Sequence, residues 1–148
     1  MRSMTRDFSI SIQTAIPFEE CLSLLRGILD QEGFQPLAVI PFHREFERQM
    51  GVRWHRYTVL VVWSPFPAYQ AVLSDQDAGI FMPFHFIVSD DGDHTTVAVT
   101  NLSLFGELTG TIGVQLLVRD LVRKIQQILS QLSTSEELAN DAVRSQRR

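Results

Sequence analysis

The chain is poor in cysteine. Among its 148 residues only Cys21 carries a thiol, which excludes an internal disulfide, a CxxC redox pair and a cysteine-based zinc site. Cys21 lies in the segment FEECLSLLRGIL, between apolar positions of a predicted helix, where a thiol behaves as a small core residue. We therefore predict no bound metal and no cofactor.

Long apolar runs and concentrated positive charge are missing as well. No stretch of about 18 uncharged apolar residues occurs, and residues 1–13 contain no apolar run of signal-peptide length. We therefore expect a soluble, cytoplasmic protein without a membrane partner. The formal net charge is −4 and the basic residues are scattered, so no face suits the phosphates of a nucleic acid.

What the sequence does have is the composition of a globular domain, with 45% hydrophobic and 20% charged residues. We predict a single α+β domain over residues 1–133. A capping box formed by Ser133 and Glu136 then predicts that the C-terminal tail, residues 134–148, is helical or frayed.

Hydrophobic periodicity predicts the element order β-α-β-α-β-α-β-β-α. Alternation in DFSISIQT indicates a first strand, and WHRYTVLVVW, from Trp54 to Trp63, is rich in β-branched and aromatic residues and should be a central strand. Residues 57–63, 80–88 and 95–102 are predicted to be strands of one sheet. In VQLLVRDLVRKIQQILSQL, apolar side chains recur at alternating spacings of four and three, which predicts a long amphipathic helix. The expected fold class is a two-layer α+β domain, with helices packed on one face of a mixed, mostly antiparallel sheet.

One longer segment carries a family resemblance. The segment VVWSPFPAYQAVLSDQDAGIFMPFHFIVSDDG combines a strand, a proline-containing turn, an acidic turn and a strand with an internal proline. In this order and spacing the chain resembles a bacterial and archaeal family, domain of unknown function 302, over roughly residues 10–105. The resemblance implies a compact α+β fold and often a homodimer. It implies no catalytic residues, because the function of the family is not established.

The chain departs from that family at two cysteine positions. Members often have CNP in the turn and PC in the following strand, whereas this chain has Trp63-Ser64-Pro65 and Pro83-Phe84. Thiol chemistry or cysteine-based metal binding suspected for relatives is therefore not expected here.

Three histidines are candidates for acid–base chemistry, because imidazole titrates near neutral pH. His43 shares a predicted helix face with Glu47, while His55 and His85 lie on predicted strands. These side chains can converge on a metal or in an acid–base pocket. Their spacing matches no metal motif such as HExxH, and the alternative is that they are hydrogen-bonded core or interface residues.

Motifs for a nucleophile and for anion binding are weak. Ser64 stands at a strand-to-turn junction but lacks the following glycine of a G-x-S-x-G elbow. The loop GELTGTIG, with Gly106, Gly110 and Gly113, precedes the long helix, where backbone N–H groups can hold an anion. It contains no GK[ST], and we favour the interpretation that it is a flexible connection.

Aromatic residues are concentrated in the middle of the chain. Eight of them lie between Trp54 and Phe86, and one helical layer cannot cover rings on both faces of a sheet. Some should therefore line a pocket or a subunit interface. The predicted ligand-binding residues are Trp54, His55, Tyr57, Ser64, Pro65, Tyr69 and His85.

These observations predict a non-catalytic, homodimeric binding module with an aromatic pocket for a small molecule or a partner segment. Two alternatives stay open. One is an enzyme that uses His43, His55 or His85 as acid–base groups, and the other is a structural interaction protein without a ligand.

A homodimer is expected because the predicted helices cover only one face of the sheet. The long helix and the helix from Pro17 to Asp30 should cover the same sheet face, which leaves the opposite face bare. A second copy is the simplest cover, through a sheet face or edge and aromatic residues of the 54–69 region. The bare face receives one of two alternating sets, either Trp54, Leu60 and Val62 or Tyr57, Val59, Val61 and Trp63.

Overall fold

A computed structural model describes residues 2–147. The strands are β1 (Arg2–Thr5), β2 (Ser9–Thr14), β3 (Gln35–Pro41), β4 (Tyr57–Trp63), β5 (Phe84–Asp90) and β6 (Thr95–Thr100). The helices are α1 (Phe18–Gln31), α2 (Phe42–Met50), α3 (Pro65–Ser74), α4 (Ser103–Leu108) and α5 (Ile112–Gln146). A 3₁₀ turn (Gln76–Ile80) follows α3.

The six strands form one sheet in the order β1-β2-β6-β5-β4-β3, and every neighbouring pair is antiparallel. The predicted α+β class and the predicted order of the main elements are therefore confirmed. In the part of the chain that the structure describes, no helix is both long and apolar enough to span a membrane.

One face of the sheet forms the floor of the core. In register, Leu60 pairs with Phe86 and Phe86 pairs with Val99, and all three side chains are buried. They belong to one apolar cluster with Leu25 of α1 and Ile125 of α5. Helices α1 and α5 thus lie together on this face, as expected from their apolar stripes.

Helix α1 begins and ends where the sequence indicates. Pro17 precedes its first residue, and proline suits this position because the N–H it lacks would have no partner within the helix. The chain leaves the helix through Gly33 at φ 80°, a backbone conformation that favours glycine. The amide of Phe34 then donates to the carbonyl of Leu29, which satisfies a terminal carbonyl and turns the chain into β3.

Helix α5 is longer than its buried stripe. The predicted core positions are buried, from Val114 to Leu132. No new helix starts at Ser133, since α5 continues unbroken through Gln146 and Ser133 donates to the carbonyl of Leu129. Glu136 instead accepts the amide of Ala15 at 2.7 Å, which ties the end of the packed part of α5 to the start of α1.

Several boundaries differ from the prediction. Strand β5 starts at Phe84, because Pro83 cannot donate to a ladder. Residues 51–56 are irregular and exposed, so β4 starts at Tyr57 and not at Trp54. Strand β1 and helix α4 were not predicted, since one is short and polar and the other contains Gly106.

The second face of the sheet carries no long helix. It receives the alternating set from β4 that contains Tyr57, Val59, Val61 and Trp63, while Leu60 and Val62 point into the core. Helix α2 lies at the end of this face where β4 begins, with the ring of Phe42 5.4 Å from that of Tyr57. Val59 is buried on this face, and the open part lies around Val61 and Ile87, which are half-buried, and His85, which is exposed.

Candidate functional site

A small cavity lies where β4 ends and α3 begins. It has a volume of about 240 Å³ and is lined by Trp63, Pro65, Ala68, Tyr69, Val72 and Met82. The four lining residues of α3 recur at i, i+3, i+4 and i+7, so the helix presents a single face to the cavity. Trp63, the last residue of β4, and Met82, just before β5, form the opposite wall.

One residue that lines this cavity, Trp63, carries an unsatisfied donor. The indole Nε1 of Trp63 is buried and has no hydrogen-bond partner among residues 2–147, and it is the only such side-chain atom there. A buried N–H without an acceptor destabilises the folded state by roughly 1–3 kcal/mol. The side chains that line the cavity are apolar, apart from the hydroxyl of Tyr69.

Two of the predicted ligand-binding residues, Pro65 and Tyr69, line this cavity. Ser64 is buried next to it at the N-cap of α3, where its carbonyl accepts the amide of Ala68. Because a strand rises about 3.3 Å per residue, the start of β4 lies ~20 Å from Trp63. The structure therefore does not bring Trp54, His55 or Tyr57 to the cavity.

Those three residues belong to an aromatic cluster at the other end of β4. The rings of Trp54 and His55 are 4.7 Å apart, and the edge of Phe46 approaches Trp54. Tyr57 lies between His55 and Phe42. Burial raises the pKa of the Tyr57 hydroxyl, while Trp54 remains half exposed. The cluster is thus a surface group that joins α2 to the start of β4.

The histidine side chains do not meet in a shared pocket. Nδ1 of His43 lies 3.0 Å from the amide and 3.1 Å from the carbonyl of Tyr57, so it accepts from the amide in one tautomer and donates to the carbonyl in the other. Its ring meets the edge of Phe18, so it packs between α1 and β4. His85 is exposed on the open sheet face, and His94 lies 3.2 Å from Asp91 in the β5–β6 hairpin. Within the described residues, no three His, Cys, Asp or Glu side chains are grouped as a metal site requires.

His85 lines a different cavity from Trp63. A cavity of about 300 Å³ lies on the open sheet face, with His85, Ile87 and Ala98 on its floor and Phe8 and Leu104 among its other walls. The backbone amide of His85 meets the hydroxyl of Thr100 at 3.2 Å. The predicted ligand-binding residues are therefore distributed over three places.

In the loop before α5, hydrogen-bond donors bind acceptors within the chain. Thr111 donates its amide to the hydroxyl of Thr109 and its hydroxyl to the carboxylate of Asp75. Gln115 donates to the carbonyl of Thr109 at 2.7 Å. The negative charge of Asp75 at this helix start disfavours a bound anion, which supports the interpretation of the segment as a connection. Its first part, with Gly106, is helical in α4.

Sequence reasoning left out four residues of the cavity wall: Trp63, Ala68, Val72 and Met82. Ala68 and Val72 could have been identified by their spacing from Pro65, since that spacing marks one helix face. Trp63 was recognised as aromatic but not placed at a site. No local pattern connects Met82 to α3, because their contact depends on how the chain returns into β5.

Comparisons with known proteins identify a family and a fold. The family model described as "Domain of unknown function DUF302" matches residues 10–132, which confirms the resemblance seen in the sequence. A solved structure described as an uncharacterized conserved protein DUF302 from Bacillus stearothermophilus is 17% identical, with a TM-score of 0.77. The match covers 84% of this chain and 98% of that one, and at this identity it shows the fold alone. No curated protein matches the chain.

Proposed function

The chain belongs to the DUF302 family, and from that starting point we propose that it is a non-catalytic, homodimeric binding module. The cavity beside Trp63 takes one small, neutral and mainly apolar molecule that carries a hydrogen-bond acceptor. The observation that carries this proposal is that Trp63 lines a cavity and that its buried indole N–H has no partner in the described chain.

The shape and chemistry of the cavity restrict the ligand. At about 240 Å³ it is smaller than most pockets for drug-sized molecules, which begin at roughly 300 Å³. None of its six lining residues is charged, so an ionic ligand would lose its hydration without gaining a counter-charge. A carbonyl or ether oxygen of the ligand accepts a hydrogen bond from Nε1 at about 2.9 Å when the Trp63 ring turns this buried atom towards the cavity, while the rest of the molecule contacts Val72 and Met82.

Binding without catalysis is favoured by what surrounds the cavity. The nearest hydroxyls, on Ser64 and Tyr69, have no histidine or carboxylate among the lining residues to activate them. The only thiol, Cys21, is buried in the core between α1 and α5. Neither nucleophilic nor acid–base chemistry therefore has the necessary groups at this cavity.

The test is native mass spectrometry on protein purified from a bacterial host, which measures both retained small molecules and the mass of the assembly. We expect a retained molecule in the wild type. Trp63→Phe keeps a ring but removes the donor, and we expect its affinity to fall by roughly 10-fold or more. Val72→Trp fills the cavity from an exposed helix position and should abolish retention.

Val143→Trp is the matched control, because it adds the same ring to a similarly exposed valine on α5, far from the cavity. It should retain the ligand as the wild type does. Equal retention by the wild type and Val72→Trp would show that the cavity is not the binding site. An unliganded wild type under all conditions would favour the structural interaction protein instead.

The homodimer is supported by apolar surface that one chain leaves uncovered. The open sheet face exposes Val61 and Ile87 partly, and a larger group of exposed apolar side chains lies on the helices around the cavity. Light scattering at micromolar concentration should give the mass of two chains, and the mass of one chain would contradict the assembly.

A further inference from the structure

Exposed apolar side chains are concentrated at one end of the molecule. Seventeen large apolar residues are exposed in the described chain, and eight of them belong to α3, the 3₁₀ turn, the end of α4 and the first turns of α5. Each of the eight is between 42% and 85% exposed. We name them the α3–α5 surface: Phe66, Tyr69, Val72, Leu73, Ile80, Leu108, Ile112 and Leu116.

These residues form a continuous surface because the helices that carry them touch. A side chain at Gly113 would lie 2.8 Å from the hydroxyl of Ser74, so the end of α3 contacts the start of α5. Phe66 shares a groove of about 450 Å³ with Leu117 of α5. Ile80 and Leu108 flank a second groove of about 430 Å³, whose floor is the stacked pair of Phe81 and Phe105.

We propose that the α3–α5 surface is where two copies of this chain associate, with twofold symmetry. This names the contact of the proposed homodimer and therefore rests on that proposal. It replaces the sheet face expected from the sequence, because Val61 and Ile87 are already partly covered by their neighbours in the sheet.

The exposed area matches what a dimer needs. The two rings contribute roughly 100–150 Å² each and the six aliphatic side chains roughly 60 Å² each, for a total on the order of 600 Å². A standard interface covers about 800 Å² on each partner, of which about 65%, or about 500 Å², is apolar in homodimers. Soluble monomers seldom expose an apolar patch of this size.

The charges around the surface are self-complementary. Asp75 and Asp77 stand beside Ile80 and Leu108 in the second groove, which has no basic lining residue. Arg119 and Arg123 follow Leu116 on the same face of α5, at i+3 and i+7. Asp120 lies between them and pairs with Arg123 at 3.8 Å, so these three residues carry one net positive charge. A twofold axis that pairs opposite ends of the surface brings the acidic end of one copy to the basic end of the other. The acidic end also disfavours an anionic lipid surface as the partner.

The same contact would cover the proposed ligand cavity. Tyr69 and Val72 belong to the α3–α5 surface and also line the cavity beside Trp63. A second copy seated on α3 therefore closes the mouth of the cavity and keeps water from the bound molecule.

The test is sedimentation equilibrium over the micromolar range on Phe66→Asp and Ile112→Asp. Both positions lie in the first turn of a helix, where a carboxylate is favoured by the helix dipole, so the fold should be preserved. Each substitution occurs twice in a symmetric contact, and we expect the dissociation constant to rise by about 100-fold or more. Circular dichroism should show unchanged helix content.

Two control variants locate the contact. Leu138→Asp changes an equally exposed leucine at the far end of α5 and should leave the dimer intact. Ile87→Lys changes the open sheet face and should also leave it intact. If Ile87→Lys gives monomers while Phe66→Asp and Ile112→Asp remain dimers, the homodimer stands and the proposed surface is wrong. A wild type that is monomeric throughout overturns both the surface and the homodimer.

Discussion

Cys21 gives a direct test of the packing between α1 and α5. Its side chain is completely buried. Burial, with the carboxylates of Glu136 and Glu20 adding to it, raises the pKa of the thiol from 9.0 to about 11. At pH 8 the thiolate fraction is then about 100-fold lower than in the unfolded chain, because each unit of pKa is a factor of ten. A reagent also has to wait for the chain to open, so we expect alkylation of native Cys21 to be at least ~1000-fold slower than that of a free thiol.

The assay is mass-spectrometric detection of alkylation over time, with the variant Ser130→Cys as an internal reference. Ser130 is exposed on α5, so its thiol should react at the rate of a free cysteine while Cys21 in the same molecule does not. Alkylation of both thiols at similar rates would refute the packing of α1 against α5. The raised pKa also sets the direction of the pH dependence. Below pH 9 the protonated thiol of Cys21 makes its full contribution to the free energy of unfolding. As the pH rises from 9 towards 11 the free energy of unfolding falls by about 3 kcal/mol at most.

Two further substitutions test the core and the hairpin. Phe86→Ala removes a fully buried ring between Leu60 and Val99, and calorimetry should show about 3–5 kcal/mol of lost stability and a thermal midpoint lower by roughly 10 °C. Phe8→Ala, at an exposed ring, should change stability by less than about 0.5 kcal/mol, and equal losses would place Phe86 outside the core. Arg56→Gln should raise the pKa of Asp90, which the Arg56 guanidinium now lowers by donating to its carboxylate. Carboxyl NMR titration measures this shift, and Arg48→Gln should raise the pKa of Glu45 and leave that of Asp90 unchanged.

The sequence predicts those parts of the fold in which the spacing of apolar residues matches the side of the element that is buried. In β4 the alternation of Leu60 and Val62 with Val61 separates core from open face, and the structure follows it. In α5 the spacing of apolar residues from Val114 onward marks the core face through Leu132. Such patterns arise because a side chain facing the core has to be apolar along the whole element.

Elements without such a pattern were missed. Strand β1 is polar and forms only because its backbone pairs with the edge of β2. Helix α4 is short, and none of its residues is buried, so its six residues carry no stripe to detect. Ser133 and Glu136 match a capping box, yet the helix runs through them because Leu132 and the preceding turns already hold it in place.

The sequence predicted a binding site with aromatic residues but not where this site lies in the fold. The strand was extended back to Trp54, which placed Trp54 and Trp63 on opposite faces, whereas the chain before Tyr57 is irregular. The distance between the two indoles depends on where β4 begins. The unpaired Nε1 of Trp63 depends on which groups the fold brings near it, and no property of the residue itself reveals this.

The cavity and the α3–α5 surface lie at the same end of the sheet for a topological reason. In this antiparallel order β4 and β6 both end there, so the chain leaves the sheet twice at that end, through α3 and through α4. Helices α1 and α5 cover the inner sheet face, and α3 packs against α5 with Ala68 and Ala71 in the core. One face of α3 lines the cavity opposite Trp63 and Met82, and Phe66 and Leu73 lie on another face that meets solvent. The exposed residues of α3 can change without disturbing the core, which is why a ligand and a second copy are best sought at this end.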